Sequence, residues 1–268
     1  MGAAHAFVVP VFGRPQWLPQ LLDSLQRQTC PSPILIATST PTPELTAIAA
    51  RHAVDVRVNP AARGIAADWN FALAQTSADW VTLAHQDDCY APSYVERCLD
   101  AAARARAPRL VFTSARERHE GPSSGSGAAH HVIKRALCEM AFWGAPAIAS
   151  PWRKRLLLSF GDPIPCPSVM IHRAAMPDFR FPDGWRTALD WVAWLDVAQR
   201  PGAFVYVRDP LVEWRVHPSS ATHAEAGARA VEDRRVLERL WPSVVASVID
   251  RAYAAGRRRY TAPARHAR

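Results

Sequence analysis

The sequence predicts an α/β fold: a mostly parallel sheet with helices on both faces and a helical extension at the C-terminus. Three observations carry this. Short apolar runs alternate with stretches at helical spacing from residue 6 to residue 114. That order favours parallel strands joined by right-handed crossovers. The hydrophobic share is 49% over 268 residues, with ten Trp, which suits a core covered from two sides. No stretch reaches the roughly 18 uninterrupted apolar residues that span a bilayer.

The elements follow in order. "HAFVVPVF" (5–12) is an apolar strand stopped by a turn. "RPQWLPQLLDSLQRQ" (14–28) sets Trp17, Leu18, Leu21, Leu22 and Leu25 at helical spacing, with Pro15 near its first turn. "PILIAT" (33–38) is a second strand, residues 43–52 a helix and "VDVRV" (54–58) a third strand. "GIAADWNFALAQTS" (64–77) places Ile65, Trp69, Ala72 and Leu73 on one helical face. "ADWVTLA" (78–84) is the fourth strand, residues 93–105 a helix and "RLVFTS" (109–114) a fifth strand. The pattern then changes. "EGPSSGSGAAHH" (120–131) reads as a Gly/Ser-rich loop, and residues 132–160 hold two helices. "PSVMIHR" (167–173) is a strand and residues 187–200 an amphipathic helix. "AFVYVRDPLVEWRVH" (203–217) predicts two strands joined at Asp209-Pro210. Residues 232–255 form one or two helices, with Pro242 as the break. No internal repeat is visible.

Charge and cysteine usage narrow the function. The five cysteines are odd in number and show no CxxC spacing, so reduced thiols in the cytosol fit better than disulfides or zinc. The N-terminus lacks the basic region of a signal peptide, and position 6 is Ala, so the myristoylation pattern is not met. A cytoplasmic location is the expectation. The net charge is +8, and Lys134 and Lys154 are the only lysines. A basic balance favours partners that carry phosphate. The basic residues are scattered and no reader motif is present, so nucleic acid is not the expected partner. No acid follows Asp250, whereas Arg251, Arg257, Arg258, Arg259, Arg265 and Arg268 do. This tail reads as a solvated end or as a peripheral contact with the inner membrane face.

"WVTLAHQDDCYAP" (80–92) carries the chemistry. Asp87 and Asp88 stand side by side where the fourth strand ends. In open α/β sheets, ligands bind beyond the C-terminal strand ends. Adjacent carboxylates repel, and a strand end does not need them. Solvated loop carboxylates, or a cap for the following helix, would account for an acidic pair.

The order of motifs resembles the family 2 glycosyltransferases of the GT-A fold. "FVVPVFGRPQWLPQLLDSLQRQT" is similar to their opening strand, turn and helix. "GIAADWNFALAQTSADWVTLAHQDD" resembles their Gly-led helix and the strand ending in the acidic metal motif. "LDWVAWL" resembles the acceptor-side acidic motif, and "WRVHPSSAT" the late His motif. The resemblance covers roughly residues 6–222. It implies a GT-A, Rossmann-like domain over 1–222, with a nucleotide-sugar half at 1–114 and an acceptor half at 115–222. Residues 223–268 would add C-terminal helices and the basic tail.

The resemblance also implies roles. Asp88 would ligate a divalent cation, Mn2+ or Mg2+, with Asp87 beside it toward the donor. His217 would complete the metal site; a strand-end His that only packs is the other reading. Asp190 would be the general base of an inverting transfer, with Asp183 and Asp196 as fallbacks; a first-turn Asp is also what a helix dipole favours. Pro10, Val11, Phe12, Arg14, Thr38, Gly64 and Asn70 match the donor-contact segments. Trp185 and Ser168 would face the acceptor. The implied partners are a nucleoside-diphosphate sugar, a UDP-sugar first among them, and a glycan or lipid-linked acceptor, in surface-polysaccharide synthesis. His85 stands where relatives often carry Asp, and Leu189 replaces a Glu. Both suit the alternative, a non-catalytic nucleotide-sugar binder of the same fold.

Overall fold

The computed structural model describes residues 4–61, 64–119, 127–217 and 226–261. Among them, nine strands form one sheet in the order β3-β2-β1-β4-β8-β6-β9-β5, with β7 pairing to β9. The first half is parallel. β1 (His5–Val11) lies between β2 (Ile34–Thr38) and β4 (Trp80–Leu83), and β3 (Asp55–Val58) extends β2. Their crossovers are α1 (Leu18–Gln26), α2 (Pro43–Arg51) and α3 (Ile65–Ala74). After β5 (Cys89–Tyr90) and α4 (Tyr94–Ala103), β6 (Pro108–His119) re-enters the sheet. β8 (Val169–His172) runs antiparallel between β4 and β6. β9 (Ala203–Val216) lies parallel to β6, and β7 (Ala147–Ile148) pairs antiparallel with it. The remaining helices are α5 (Gly127–Phe142), α6 (Pro151–Leu158), α7 (Leu189–Gln199), α8 (Ala226–Leu240) and α9 (Ser243–Thr261).

Strand alternation divides the core into two layers. On one side of β1, Phe7, Val9 and Val11 meet Leu18, Leu21, Leu22 and Leu25 of α1 together with Tyr94 and Val95 of α4. On the other side, Ala6 and Val8 meet α3 and α7, including the fully buried Trp194. α8 and α9 join this second layer through Val236, Leu237 and Ala246, with Leu240, Trp241 and Ile249 packed against it. The Trp241 indole N–H donates to the Ser159 carbonyl at 2.7 Å.

Several expected boundaries shift. Residues 203–217 are one long strand rather than two. β9 passes through Pro210 because the ladder with β6 slips there, where Ser114 opposes Pro210, so no ladder bond needs its missing N–H. β6 extends past residue 114 to His119 because β9 continues to pair with it. β5 and β7 are two residues each, too short for a period. α8 begins at Ala226, earlier than residue 232, and the helix breaks at Pro242 as expected. Of the loop expected at 120–131, residues 127–131 instead form the first turns of α5, and residues 120–126, like residues 218–225 and 262–268, lie outside the described residues. No helix among the described residues is long and apolar enough to cross a membrane.

Candidate active site

β1 and β4 run parallel, so their C-terminal ends open on one edge of the sheet. The Ala84 N–H still bonds the Val8 carbonyl at 2.9 Å. The chain then turns, and the Asp88 N–H donates to the His85 carbonyl at 3.2 Å. Gln86 ties this turn to the β1 end: its amide accepts from the Phe12 N–H at 3.2 Å and donates to the Phe12 carbonyl at 3.1 Å. Cys89 and Tyr90 pair antiparallel with Glu213 and Val212, which brings the end of β9 against the acidic pair.

The end of β9 supplies the positive charge. The Arg215 N–H donates to Asp88 Oδ1 at 3.0 Å. Its guanidinium donates Nε–H to the Asp87 carbonyl at 2.9 Å and Nη2–H to Gln20 Oε1 at 2.7 Å. His217 Nε2 lies 2.9 Å from Asp87 Oδ2. Trp17 packs on both, with its ring 4.1 Å from the His217 ring and 5.4 Å from the Arg215 guanidinium. Arg215 and His217 are buried, as is Asp88 at 1% exposure.

The two carboxylates are unequal. Burial and the neighbouring Asp87 charge push Asp88 well above the usual carboxylate range, against the pull of Arg215. Asp87 is partly buried too, but the hydrogen bond from His217 and the His85 and His217 charges outweigh burial and hold it low. Burial also lowers His85, while Asp87 opposes the shift. Asp88 Oδ2 and His85 Nε2 are buried and lack a hydrogen-bond partner. Orphan atoms of this kind are rare in folded proteins. Among the described residues, no three His, Cys, Asp or Glu side chains already surround a common point. The donor set nonetheless fits a divalent cation in kind: two carboxylates, one of them with an unsatisfied oxygen, and an imidazole.

Asp190 occupies the first turn of α7. Its Oδ1 accepts from the Trp191 N–H at 2.8 Å. Burial raises its pKa above the usual range, opposed by that N–H and by Arg229 and Lys134. Asp162 stands with it. Burial and the Asp190 charge raise Asp162 well above normal, and its Oδ1 accepts from the Ile164 N–H at 2.9 Å. Glu232 of α8 holds the turn before α7, accepting from the N–H groups of Arg186, Thr187 and Ala188.

The other expected contacts divide. Phe12 and Arg14 are exposed beyond the β1 end, while Pro10 and Val11 remain in the strand. Gly64 takes φ +103° and starts α3, a conformation that suits only glycine. Thr38 is buried and its hydroxyl accepts from the Thr40 N–H at 3.0 Å. Asn70 differs from the donor-contact expectation. Its amide donates to the Phe181 carbonyl and accepts from the Phe181 N–H, both at 2.8 Å, so it latches α3 to that loop. Ser168 and Trp185 present no open face to an acceptor. Ser168 is fully buried and donates to the Pro165 carbonyl at 2.8 Å. Trp185 is buried, with Arg235 and Arg239 stacked on its ring at 4.6 and 4.8 Å.

Sequence reasoning also missed a polar knot at the β2 and β3 ends. Asp68 accepts from Ser39 at 2.8 Å and from Asn59 at 2.9 Å. The absence of an acid after β2, together with an acid in the first turn of α3, was the available signal. Asp162 and Glu232 had no local signal.

The comparisons with known proteins agree with this architecture. Residues 6–136 match the family model described as glycosyl transferase family 2. No curated protein matches the sequence. Among solved structures, residues 1–349 of S. aureus TarS in complex with UDP-GlcNAc align with a TM-score of 0.62 at 12% identity, over 94% of this chain and 72% of that one. The mannosyltransferase PcManGT from Pyrobaculum calidifontis, in complex with GDP-Man and Mn2+, gives 0.63 at 16% identity, over 86% of this chain and 61% of that one. Glucosyl-3-phosphoglycerate synthase from Mycobacterium tuberculosis, in complex with Mn2+ and UDP-Glc, gives 0.58 at 16% identity, over 89% and 79%. At such identities these neighbours speak for the fold, which is GT-A, and the segment that matches glycosyl transferase family 2, residues 6–136, carries the strand-end acidic pair.

Proposed function

We propose that the chain transfers a sugar, with inversion, from a nucleoside-diphosphate sugar to a hydroxyl of a glycan or lipid-linked acceptor. The observation that carries this is the convergence of Asp87 and Asp88 with Arg215 and His217 at the strand-end crevice. Asp87, Asp88 and His217 would hold a divalent cation, manganese or magnesium, which when bound neutralises charge on the leaving diphosphate. The neighbours that bind GDP-Man or UDP-Glc do so alongside Mn2+.

The chain's own residues do the rest. Arg215 fixes the acidic turn through the Asp87 carbonyl and places a permanent cation beside it. Phe12 and Arg14, exposed past β1, border the crevice on the nucleotide side. Asp190 takes the proton of the acceptor hydroxyl as that oxygen attacks the anomeric carbon from the face opposite the diphosphate. One base suffices, because a single displacement forms no covalent intermediate. Burial raises the Asp190 pKa, which brings a carboxylate closer to the range in which a base works at neutral pH. A UDP-sugar is the first donor to try, and surface-polysaccharide synthesis inside the cell is the setting that fits a lipid-linked acceptor.

The test is a panel of nucleotide sugars assayed by donor hydrolysis and thermal shift, with manganese, magnesium or EDTA, on the wild type and Asp88→Ala. One donor should give a metal-dependent signal that Asp88→Ala loses. No shift and no hydrolysis with any donor would overturn the reading.

A further inference from the structure

The exposed side of α5 is apolar. Ile133 is 57% exposed, Met140 46% and Trp143, just beyond the helix, 85%. With exposed Ala136 these positions recur at three- and four-residue steps, so they form one stripe. The opposite side of α5 is already packed, since Cys138, Ala141 and Phe142 are buried. A second tryptophan stands beside the stripe. Trp152, at the start of α6, is 65% exposed. Its neighbour Arg153 reaches across to α5, donating to the Ala141 carbonyl at 2.9 Å and the Phe142 carbonyl at 2.6 Å. That bridge brings Trp152 to the same end of α5 as Trp143. Two large, mostly exposed indoles together exceed the scattered apolar residues of an ordinary surface.

The charge around this patch indicates what covers it. Outside the core, residues 127–160 carry Lys134, Arg135, Arg153 and Arg155 against one acid, Glu139, while Lys154 is buried on the Arg200 and Gly202 carbonyls. Glu139 is itself spent on Arg208, by two hydrogen bonds of 2.9 Å. A second copy of this chain would bring another +8 against the patch. An anionic surface suits it better. Indoles favour the level of lipid headgroups, where the ring is apolar and its N–H meets water. Arginines beside them meet lipid phosphates.

The patch also lies beside the reaction site. Lys134 and Cys138 of α5 line a cavity with Pro163, Pro165 and Trp214. The Lys134 charge acts on both Asp162 and Asp190. We propose that the α5–α6 face, with Trp143 and Trp152 as its anchors, docks the protein on an anionic lipid bilayer and so presents the cavity beside Asp190 to a membrane-borne acceptor. The docking stands on its own, while the acceptor consequence rests on the proposed transfer.

The experiment is flotation of the full chain with phosphatidylcholine vesicles, with and without phosphatidylglycerol, read also by tryptophan emission. The wild type should float with the anionic vesicles and its emission should shift to the blue. Trp143→Ala/Trp152→Ala should cut the bound fraction at least tenfold. Both residues are exposed, so folding should be retained, and donor hydrolysis without lipid should match the wild type. A comparison variant, Arg257→Ser/Arg258→Ser/Arg259→Ser, reports on the tail. A double tryptophan variant that floats like the wild type would overturn the proposal, as would loss confined to the tail variant. A wild type that runs as a dimer, broken by the tryptophan changes, would overturn it in favour of a second copy. If docking holds but no donor is turned over, the transfer reading fails separately.

Discussion

Glu232→Ala tests how the C-terminal helices support the base. Glu232 Oε1 accepts from the Arg186 N–H at 2.8 Å; Oε2 accepts from the Thr187 N–H at 2.8 Å, the Thr187 hydroxyl at 2.9 Å and the Ala188 N–H at 3.0 Å. Removing one ordinary N-terminal helix cap costs about 0.5–2 kcal/mol. Here one anion holds three N–H groups and a hydroxyl, and hydrogen bonds to a charged group are each worth about 1.5–3 kcal/mol. Glu232 is partly exposed, so water replaces part of this after truncation. The net loss should be about 2–3 kcal/mol. For a chain of this size about 1 kcal/mol moves the melting temperature by roughly 2–4 °C, so Tm should fall by on the order of 5–10 °C.

The same carboxylate gives the loss a pH signature. Burial raises the Glu232 pKa, but the N–H groups of Thr187, Arg186 and Ala188 outweigh it and hold the value below 4.5. A folded-state pKa below the unfolded one stabilises fully above the unfolded value. That contribution disappears as pH falls through the folded value. The gap in Tm between wild type and Glu232→Ala should therefore be full at neutral pH and close on acidification below about pH 4. Asp190 follows the held turn by two residues, so kcat should fall while the donor KM stays. Differential scanning fluorimetry over a pH series, with donor kinetics, measures both. A Tm within a degree of wild type at neutral pH, or a gap that ignores pH, would refute the account.

Other positions give separate tests. Asp190→Asn should lower kcat by about 10²–10⁴. The wild-type rate should rise with pH through a value above the usual carboxylate range, because burial raises this base and only its ionised form accepts a proton; a pH–rate profile reads both. His5 is buried between Ser32 and Thr82, and burial lowers its pKa to about 3. Its stabilising neutral form is fully favoured above the unfolded value and is lost as pH falls toward 3, so urea unfolding should show a loss of about 2–3 kcal/mol between pH 7 and pH 4.5 that His5→Gln removes. Gly202 has φ +115°, and a Cβ there would lie 2.6 Å from the Ala107 carbonyl. Gly202→Ala should destabilise by about 2–4 kcal/mol in the same assay.

The parallel half of the sheet was legible because its signals are local. Apolar runs and α1's leucine spacing need no partner to be recognised, and each crossover is short. The acidic pair was legible for the same reason, since a strand end is where the crevice must be. What escaped depends on partners far away in sequence. Pro210 looked like a stop until β6 supplied a ladder that slips at that residue. Asn70 and Phe181 are 111 residues apart, so nothing beside Asn70 announces a latch. Ser168 and Trp185 read as open polar and aromatic contacts, but Trp185 is covered by Arg235 and Arg239 of α8, and Ser168 is buried against the sheet, where the Tyr94 hydroxyl donates to its carbonyl. Glu232 sits mid-helix with a sequence like any solvated acid, and only the fold aims it at residues 186–188.

The slip at Pro210 also explains why β9 can serve the acidic pair. From Thr113 to Ala115, β6 advances two residues, while β9 advances five, from Val207 to Val212. β9 therefore inserts three extra residues. The insertion changes ladder position rather than face: Trp214 lies on the α5 side with Tyr206, and Arg215 meets Trp17 and Gln20 beside α1, which packs on the layer that holds Val207. Beyond the slip, Arg118 opposes Arg215. In an unbroken ladder continued from Thr113 and Val207, Arg118 would oppose Val212, and Arg215 would stand three positions further along. Three residues of strand span about 10 Å, so Arg215 and His217, two residues apart, would both overshoot the acidic pair. The irregularity that hid β9 from the sequence is thus what stops a guanidinium and an imidazole level with a pair of carboxylates that would otherwise repel each other.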